Sequence, residues 1–212
     1  MLQDVGEEIE HVYFLHTGMV SLVAVMQSGA TVETASIGGA GVVGASAGLG
    51  ARRSFARAIV QLPGSATWLS AAQFRAAVNE CQAIRDLVVR YNDLLLAQVQ
   101  QSVACNALHA LEARLCRWLL QSHDCIDGAG IPLTQETLAQ MLGVRRTTVT
   151  MAARLLQSAS LIRYRRGLIQ IVDRRALEHI SCECYAIIRQ NVDKVFSPPR
   201  TLPIGNFVAR AN

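Results

Sequence analysis

Residues 134–156, TQETLAQMLGVRRTTVTMAARLL, are the stretch that decides the fold. Thr134 can cap a helix with its hydroxyl, and Glu136 in the first turn complements the positive end of the helix dipole. Gly143 then supplies a turn, because the left-handed conformation is cheap only for glycine. The stretch therefore predicts a short helix that ends in a glycine turn.

A second short helix is predicted directly after the turn, over residues 146–158. Its apolar and small positions share one side: Val149, Ala152, Ala153 and Leu156. The polar positions of this segment are candidate contacts to nucleic acid: Arg145, Arg146, Thr147, Thr150 and Arg154. Two short helices around a glycine turn, with arginine and threonine early in the second, are typical of a helix-turn-helix at about residues 134–157.

A β-hairpin is predicted after the second helix, over residues 161–172, with its turn at Arg165, Arg166 and Gly167. The two arginines at its tip are placed to meet phosphates, as in the wing of a winged helix. Residues 145–175 hold eight arginines and one acid, Asp173, although the whole chain has a net charge of only +4. Such a basic block is expected of a phosphate-backbone binder, and the alternative is a solvated charged face.

The N-terminal part reads as β structure. Short β-rich runs separated by turn signals cover residues 11–15, 19–26, 31–37, 55–62 and 67–69. Strands at this spacing predict a small antiparallel, jelly-roll-like β-roll within residues 1–80. These strands are fewer than such a roll normally has, so we expect that the chain begins partway through the domain or that Met1 is not its natural start.

A long helix is predicted to follow, over residues 81–106, because no glycine or proline interrupts residues 84–108. Apolar residues spaced three and four apart form one stripe, which favours pairing with a second copy of the helix. We assign four residues of the stripe to a dimer interface: Leu87, Tyr91, Leu94 and Gln98. The alternative is a helix that packs only on its own domain.

The remaining C-terminal elements complete a domain over residues 107–185. A helix is predicted over residues 109–123, after a bend, and a loop over residues 127–132. Asp173 can cap a last helix that runs to about Arg189. The proline-rich tail, residues 197–212, is predicted to be disordered.

The chain at this point resembles the Crp/Fnr family of bacterial transcription regulators, from about residue 11 to residue 185. The resemblance is strongest across residues 133–172, where LTQETLAQMLGVRRTTV and LIRYRRG look like the family's helix-turn-helix and wing. It implies an α+β protein: a cyclic-nucleotide-binding-type β-roll, a long dimerisation helix and a C-terminal winged helix-turn-helix. Arg146 matches an arginine that contacts bases in the family, whereas Thr147 stands where glutamate is frequent.

The sensor half departs from the resemblance. Residues 37–44, IGGAGVVG, look like the family's phosphate cassette, and Arg52 lies roughly where a phosphate-pairing arginine is expected. Ala45 replaces the glutamate that would hold a ribose hydroxyl, and Val99 and Gln100 replace the polar pair that would reach a purine. We therefore expect a degenerate roll that does not bind cyclic AMP and that senses another, unidentified effector or none; no cofactor is predicted.

Enzyme chemistry and metal binding find little support in the sequence. The pattern GAGVVG at residues 39–44 lacks the helix and the acidic residue of a dinucleotide site. His179, Cys182 and Cys184 could supply metal ligands, but on one continuous helix the two cysteines would lie about 200° apart. The other cysteines, Cys105, Cys116 and Cys125, are expected to be buried in a reducing compartment. No catalytic residue and no metal site are therefore predicted.

The function that the sequence favours is a sequence-specific transcription regulator that binds duplex DNA, at an inverted repeat, as a homodimer. RNA polymerase is a further expected partner if the protein activates transcription. An acidic N-terminus and the lack of a long apolar run predict a cytoplasmic protein that does not associate with membranes. The alternatives are a protein-binding sensor or scaffold without DNA binding, and a regulator that responds to metal or redox state.

Overall fold

The computed structural model describes residues 1–126 and 130–196. The chain is a mixed α+β protein with antiparallel sheets at the N-terminus, a long helix and a C-terminal helix-turn-helix. Residues 127–129 of the predicted loop, and the whole predicted tail at residues 197–212, lie outside the described residues. The last two residues predicted as loop, Ile131–Pro132, form a short strand instead. Across the described ranges, no helix is both long and apolar enough to span a membrane.

The N-terminal β-roll consists of two three-stranded antiparallel sheets within the described residues. Their orders are β4-β1-β6 and β3-β2-β5. The strands are β1 (His11–Leu15), β2 (Met19–Val25), β3 (Thr31–Ile37), β4 (Val42–Val43), β5 (Arg57–Leu62) and β6 (Ala66–Ser70). Five of these match the predicted runs, and the sequence analysis missed β4 because two residues carry no period-2 pattern. A short 3-10 helix, Ala45–Leu49, follows β4.

Two helices follow the roll. Helix α1 (Ala71–Glu80) begins at Ser70, whose hydroxyl accepts a hydrogen bond from the Gln73 amide and which forms a capping box with Gln73. Helix α2 (Gln82–Leu108) is 27 residues long and matches the predicted long helix. It packs along the roll and crosses from the sensor half to the C-terminal half of the chain.

The face of α2 that we assigned to a dimer interface is buried within the chain instead. Tyr91, Leu94 and Gln98 are each 7–8% exposed. The Val42 amide donates to the Tyr91 hydroxyl oxygen at 2.7 Å, and Gln98 Nε2 donates to the Ser36 carbonyl at 3.1 Å. The apolar side chains of the stripe are thus buried against the chain's own roll, and its polar groups form hydrogen bonds with the roll. Leu87, the fourth residue of the assigned set, is 41% exposed and does not share this burial.

The C-terminal domain begins with α3 (Leu111–Asp124), after the predicted bend at His109 and Ala110. It continues as β7 (Ile131–Pro132), α4 (Gln135–Leu142), α5 (Arg146–Ser158), β8 (Ile162–Arg165) and β9 (Leu168–Ile171). The three strands form an antiparallel sheet in the order β7-β9-β8. The predicted helices and hairpin are therefore present with bounds within two residues of the expected ones.

The predicted last helix is two helices. Asp173 caps α6 (Arg174–Ile180) as expected, with its carboxylate accepting from the Ala176 amide, but α6 ends seven residues later. Helix α7 (Cys184–Phe196) starts after a break in which the Cys182 amide donates to the Ala113 carbonyl on α3. No glycine or proline marks the break, so the sequence pattern did not reveal it. The break brings Cys182 and Cys184 together, which a continuous helix would prevent.

One apolar core joins the roll to the C-terminal domain. Met19, Val23 and Leu62 of the roll pack in the same cluster as Leu115 and Leu138 of the C-terminal domain. A buried polar contact crosses the same boundary, because Trp118 Nε1 donates to Glu33 Oε1 at 3.0 Å. Ser21 also donates to the Glu33 carboxyl group. Burial raises the pKa of the Glu33 carboxyl group.

Candidate nucleic-acid interface

The turn between α4 and α5 has the geometry that the sequence predicts. The Thr134 hydroxyl accepts from the Thr137 amide at 3.1 Å and so caps α4. Gly143 ends the helix in the left-handed conformation, with φ of 65° and ψ of 36°, and its amide donates back to the last turn. The inward residues Val149 and Leu156 are at most 4% exposed. Apolar burial therefore fixes which face of α5 remains outside.

The N-terminal turn of α5 presents its polar residues to solvent. Arg145 is the N-cap residue, Arg146 is the first helical residue and Thr147 follows, and all three are exposed. Arg154 is exposed two turns further along the same helix. The positive end of the helix dipole coincides with these arginines, so this surface attracts anions.

Thr150 has a different role from the one expected for a base contact. Its hydroxyl oxygen lies 2.7 Å from Gln135 Oε1 on α4 and 3.0 Å from the Arg146 carbonyl oxygen. The one hydroxyl proton is therefore engaged within the protein. Thr150 holds the two helices of the motif together and leaves only its lone pairs and methyl group for a ligand.

The hairpin of β8 and β9 projects as a wing with a tight two-residue turn. Arg166 and Gly167 both have positive φ, 50° and 77°, which is the pattern of a type I′ turn. Arg165 pairs with Leu168 across the turn. Arg165 and Arg166 are both exposed at the tip, as the sequence analysis expected.

Two further residues belong to this surface and were missed from the sequence. Arg163 lines one cleft together with Arg165, Arg166, Leu168 and Gln170. Strand periodicity could have revealed it, because positions 163 and 165 of a strand share a face. Met151 is 65% exposed on α5, and an apolar side chain on a reading helix can contact a thymine methyl group.

Tyr164 supports the wing from inside. Its hydroxyl donates to the Leu133 carbonyl at 3.2 Å, and its backbone amide donates to Gln157 Oε1 on α5 at 2.9 Å. Burial raises the pKa of its phenol. These bonds tie the hairpin both to the segment before α4 and to the end of α5. The wing and the helix-turn-helix therefore form one surface.

The cassette region of the roll is packed against α2. Burial raises the pKa of Tyr91 to about 12, and its ring contacts Ala45 and Leu94. A cavity of about 70 Å³ remains, lined by the cassette glycines, by α2 and by Val192 of α7. Pockets for drug-sized ligands are about 300–1,000 Å³. A neighbouring open cleft of about 480 Å³ shares Gly38, Gly39 and Val192 with this cavity. Arg52 is not among the described residues that line this cavity, so the structure does not bring the predicted phosphate ligand to it.

The chain was compared with protein families, curated sequences and solved structures. Residues 113–180 match the Crp-like helix-turn-helix domain. No curated protein sequence matches the chain. FixK2 from Bradyrhizobium japonicum superimposes with a TM-score of 0.73 at 15% identity, over 85% of this chain and 92% of that one.

Further solved structures give the same fold. TTHB099, a CRP-family transcriptional regulator from Thermus thermophilus, matches with a TM-score of 0.70 and 22% identity, over 85% of this chain and 92% of that one. The c-di-GMP-responsive regulator CLP from Xanthomonas campestris has a TM-score of 0.62 and 15% identity, over 80% of this chain and 88% of that one.

The Crp-like match and the exposed arginines of α5 and the wing together indicate a DNA-binding domain within residues 113–180. The C-terminal domain of the chain is a Crp-like helix-turn-helix domain, and the overall architecture is that of the Crp/Fnr regulators. The alternative of a scaffold without DNA binding is not favoured by these matches.

Proposed function

We propose that the protein is a cytoplasmic homodimer that reads an inverted-repeat operator, with α5 in the major groove and the wing on the phosphate backbone. The observation that carries this proposal is the single exposed surface formed by Arg145 and Arg146 on α5 and by the arginines of the wing. An α-helix fits the major groove, and its N-terminal residues reach the base edges in this motif.

The residues divide into two roles. Arg146 and Thr147 begin the reading helix and are proposed to contact bases, with Arg145 and Arg154 beside them. Arg165 and Arg166, joined by Arg163, are proposed to contact phosphates, which position a protein without reading sequence. Thr150 is proposed to hold α5 on α4. Arg52 keeps no proposed role, because it lies away from the cassette cavity.

The proposed dimer contact is the face of α2 that points away from the roll. Val89, Leu96 and Val103 follow each other at seven-residue intervals and are 42%, 57% and 65% exposed. Seven-residue spacing of apolar residues is the pattern of paired helices. The residues expected earlier, Tyr91, Leu94 and Gln98, lie on the opposite side of α2. This seam replaces them in the proposal.

The division into a roll over residues 1–80, a dimerisation helix over residues 81–106 and a reader over residues 107–185 is part of the same proposal. If the protein activates transcription, RNA polymerase is its further partner. The Crp-like domain supports DNA binding, and the exposed α2 face supports the homodimer.

Selection from a pool of randomised duplexes tests the proposal. The bound sequences should contain an inverted repeat whose half-site centres lie about 34–36 Å apart, one turn of DNA. Binding should weaken as salt rises, because counterions are released from the neutralised phosphates. Enrichment of a single, non-repeated half-site would contradict the proposed dimer. DNA binding that does not change with salt concentration would contradict the proposed phosphate contacts.

A further inference from the structure

Four potential metal ligands meet where α2 ends and α6 gives way to α7. They are Cys105, His109, Cys182 and Cys184, and their ligand atoms all lie within 4.8 Å of one another. Cys105 and His109 are adjacent on the end of α2, where the His109 amide donates to the Cys105 carbonyl at 3.1 Å. The break between the last two helices supplies the other two. The three thiols are buried, and the imidazole is half-buried.

The spacing of the donors suits one tetrahedral ion. Cys105 Sγ lies 3.6 Å from Cys182 Sγ, and Cys184 Sγ lies 3.5 Å from His109 Nδ1. With zinc–sulfur bonds of about 2.3 Å and zinc–nitrogen bonds of about 2.0–2.1 Å, a tetrahedron places two sulfurs about 3.8 Å apart and a sulfur and a nitrogen about 3.6 Å apart. An iron–sulfur cluster separates its ligand sulfurs more widely, because several metal and sulfide ions lie between them.

The surroundings of the donors also suit a metal. His109 Nε2 lies 3.1 Å from Glu183 Oε2, which leaves Nδ1 directed toward the thiols. A carboxylate on the outer nitrogen of a histidine is the usual support of a histidine ligand, since it fixes the tautomer and the ring orientation. Gln101 Nε2 lies 3.0 Å from Cys184 Sγ and can donate to it.

Buried positive charge lies beside the cluster. Arg114 and Arg117 are 8% and 5% exposed, and each acts electrostatically on Cys105 and Cys182. Within the described residues their buried Nε atoms have no hydrogen-bond partner. A site of three thiolates, one imidazole and a divalent ion carries a net charge of −1, which these guanidinium groups offset. If the sulfurs were neutral thiols, burying these two cations near them would be costly.

We propose that Cys105, His109, Cys182 and Cys184 form a closed structural zinc site that joins the end of the dimerisation helix to the α6–α7 junction. A set of three cysteines and one histidine is among the ligand sets of structural zinc. The ion ties residues on both sides of the bend that separates α2 from the DNA-binding domain. Arg114 extends the link, because its Nη2 donates to the carbonyl of Leu142 at the end of α4, at 2.6 Å.

Metal binding to the reduced full-length chain tests the site independently of DNA. The chain is stripped with a chelator under anaerobic conditions, and zinc is titrated against a chromophoric competitor. We expect one zinc ion per chain, and we expect cobalt(II) in its place to give thiolate-to-metal charge-transfer bands and the intense visible bands of tetrahedral coordination. A chain that takes up no stoichiometric zinc, or an octahedral cobalt spectrum, would overturn the proposal.

Variants separate a ligand set from a cluster of small buried residues. Cys105→Ser, Cys184→Ser and His109→Gln should each weaken zinc binding by more than about 100-fold, and Glu183→Gln by about 10- to 100-fold. Cys81→Ser and Cys116→Ser, outside the group, are matched controls and should bind zinc like the wild type. Glu183 is largely exposed, so its variant tests the site even if a buried serine disturbs folding.

A thiol pair is the competing interpretation. If the reduced chain does not bind zinc but Cys105 and Cys182 form a disulfide on mild oxidation, the cluster is a redox-active thiol pair. The proposal of a zinc site is then wrong. Zinc should also raise the melting temperature of the wild type and leave that of His109→Gln unchanged, since a ligand stabilises only the state that binds it. An equal rise in both proteins would mean that zinc binds elsewhere.

Discussion

Substitutions at the proposed DNA-binding surface are expected to have two different effects on DNA affinity. Arg146→Ala should lower affinity for the selected operator by about 5- to 150-fold, because a bidentate contact to guanine discriminates by about 1–3 kcal/mol. Its affinity for a scrambled duplex should change little. Binding curves on both duplexes measure the difference, and an equal loss on both would make Arg146 a phosphate contact.

The wing supplies the matched control for that experiment. Arg165→Ala with Arg166→Ala should weaken binding to all duplexes alike. It should also reduce the slope of log affinity against log salt concentration by about one to two counterions. The double variant keeps the turn glycine, Gly167, so the hairpin should retain its shape. A loss confined to the operator would assign sequence reading to the wing.

The buried carboxyl group of Glu33 should make stability fall with rising pH. Burial raises its pKa in the folded state, so the folded protein holds a proton that the unfolded chain releases above its ordinary pKa. Stability is then lost, at about 1.4 kcal/mol per pH unit, between the unfolded and the folded pKa. The amide oxygen of Glu33→Gln can still accept from Trp118, and its amide nitrogen can donate to the Ser21 hydroxyl oxygen, without the charge.

Urea unfolding at a series of pH values tests this expectation. Glu33→Gln should gain stability over the wild type as the pH rises above 4.5, the ordinary pKa of the glutamate side chain. Glu10→Gln, at an exposed position, removes the same charge and should stay parallel to the wild type. A Glu33→Gln protein whose stability also stays parallel to the wild type would mean that the carboxyl group does not lose its proton in this range.

Residue types predicted the geometry of the helix-turn-helix well because its pattern is local. Thr134, Gly143 and the inward positions of α5 act within one or two helical turns, so their roles follow from spacing. The role of Thr150 depended on Gln135 of the preceding helix, and no spacing rule gives such a bond. His109 was missed as a possible metal ligand because its partners Cys182 and Cys184 lie more than 70 residues away in sequence.

At the scale of elements, the sequence predicted helix α2 but not which of its faces is free. The stripe of Tyr91, Leu94 and Gln98 has the spacing of a dimer seam, yet it packs on the roll. Both faces carry apolar residues, and only the position of the roll distinguishes them. The break between α6 and α7 could not be predicted either. A hydrogen bond from the Cys182 amide to Ala113 on α3 interrupts a sequence whose pattern is otherwise helical.

The free face of α2 gives a prediction about assembly. Leu96→Asp with Val103→Asp should convert a dimer into monomers, because two charges would be buried in the seam on each helix. The control Val172→Asp, 54% exposed outside this helix, should leave the dimer intact. Light scattering at micromolar concentration measures the mass, and the double variant should also lose most of its operator affinity. A wild type that is monomeric under these conditions would rule out the seam.

At the scale of the whole molecule, the packing of the cassette bears on the effector. The cavity of about 70 Å³ lies between the cassette and α2, with Tyr91 and Val192 of α7 in its lining, and Arg52 is not among the described residues that line it. We therefore expect cyclic AMP to give no binding heat at physiological concentration in titration calorimetry. A micromolar dissociation constant would contradict this and would require α7 to leave the roll.

The order of the structural elements along the chain could be predicted from the sequence, but the packing of the roll against the C-terminal domain could not. Strand runs, a long helix and a winged helix-turn-helix each have a local signature. The shared core of Met19, Val23 and Leu115 has none, because any apolar residue can fill it.

That shared core has a consequence for how the protein is made. Glu33 meets Trp118 only after 85 further residues have been synthesised, which takes about 4–17 s at about 5–20 residues per second. Until the C-terminal domain has been synthesised, Val23 and Leu62 of the roll lack the apolar residues that cover them in the folded chain. We therefore expect the roll to be prone to self-association until the C-terminal domain covers these residues.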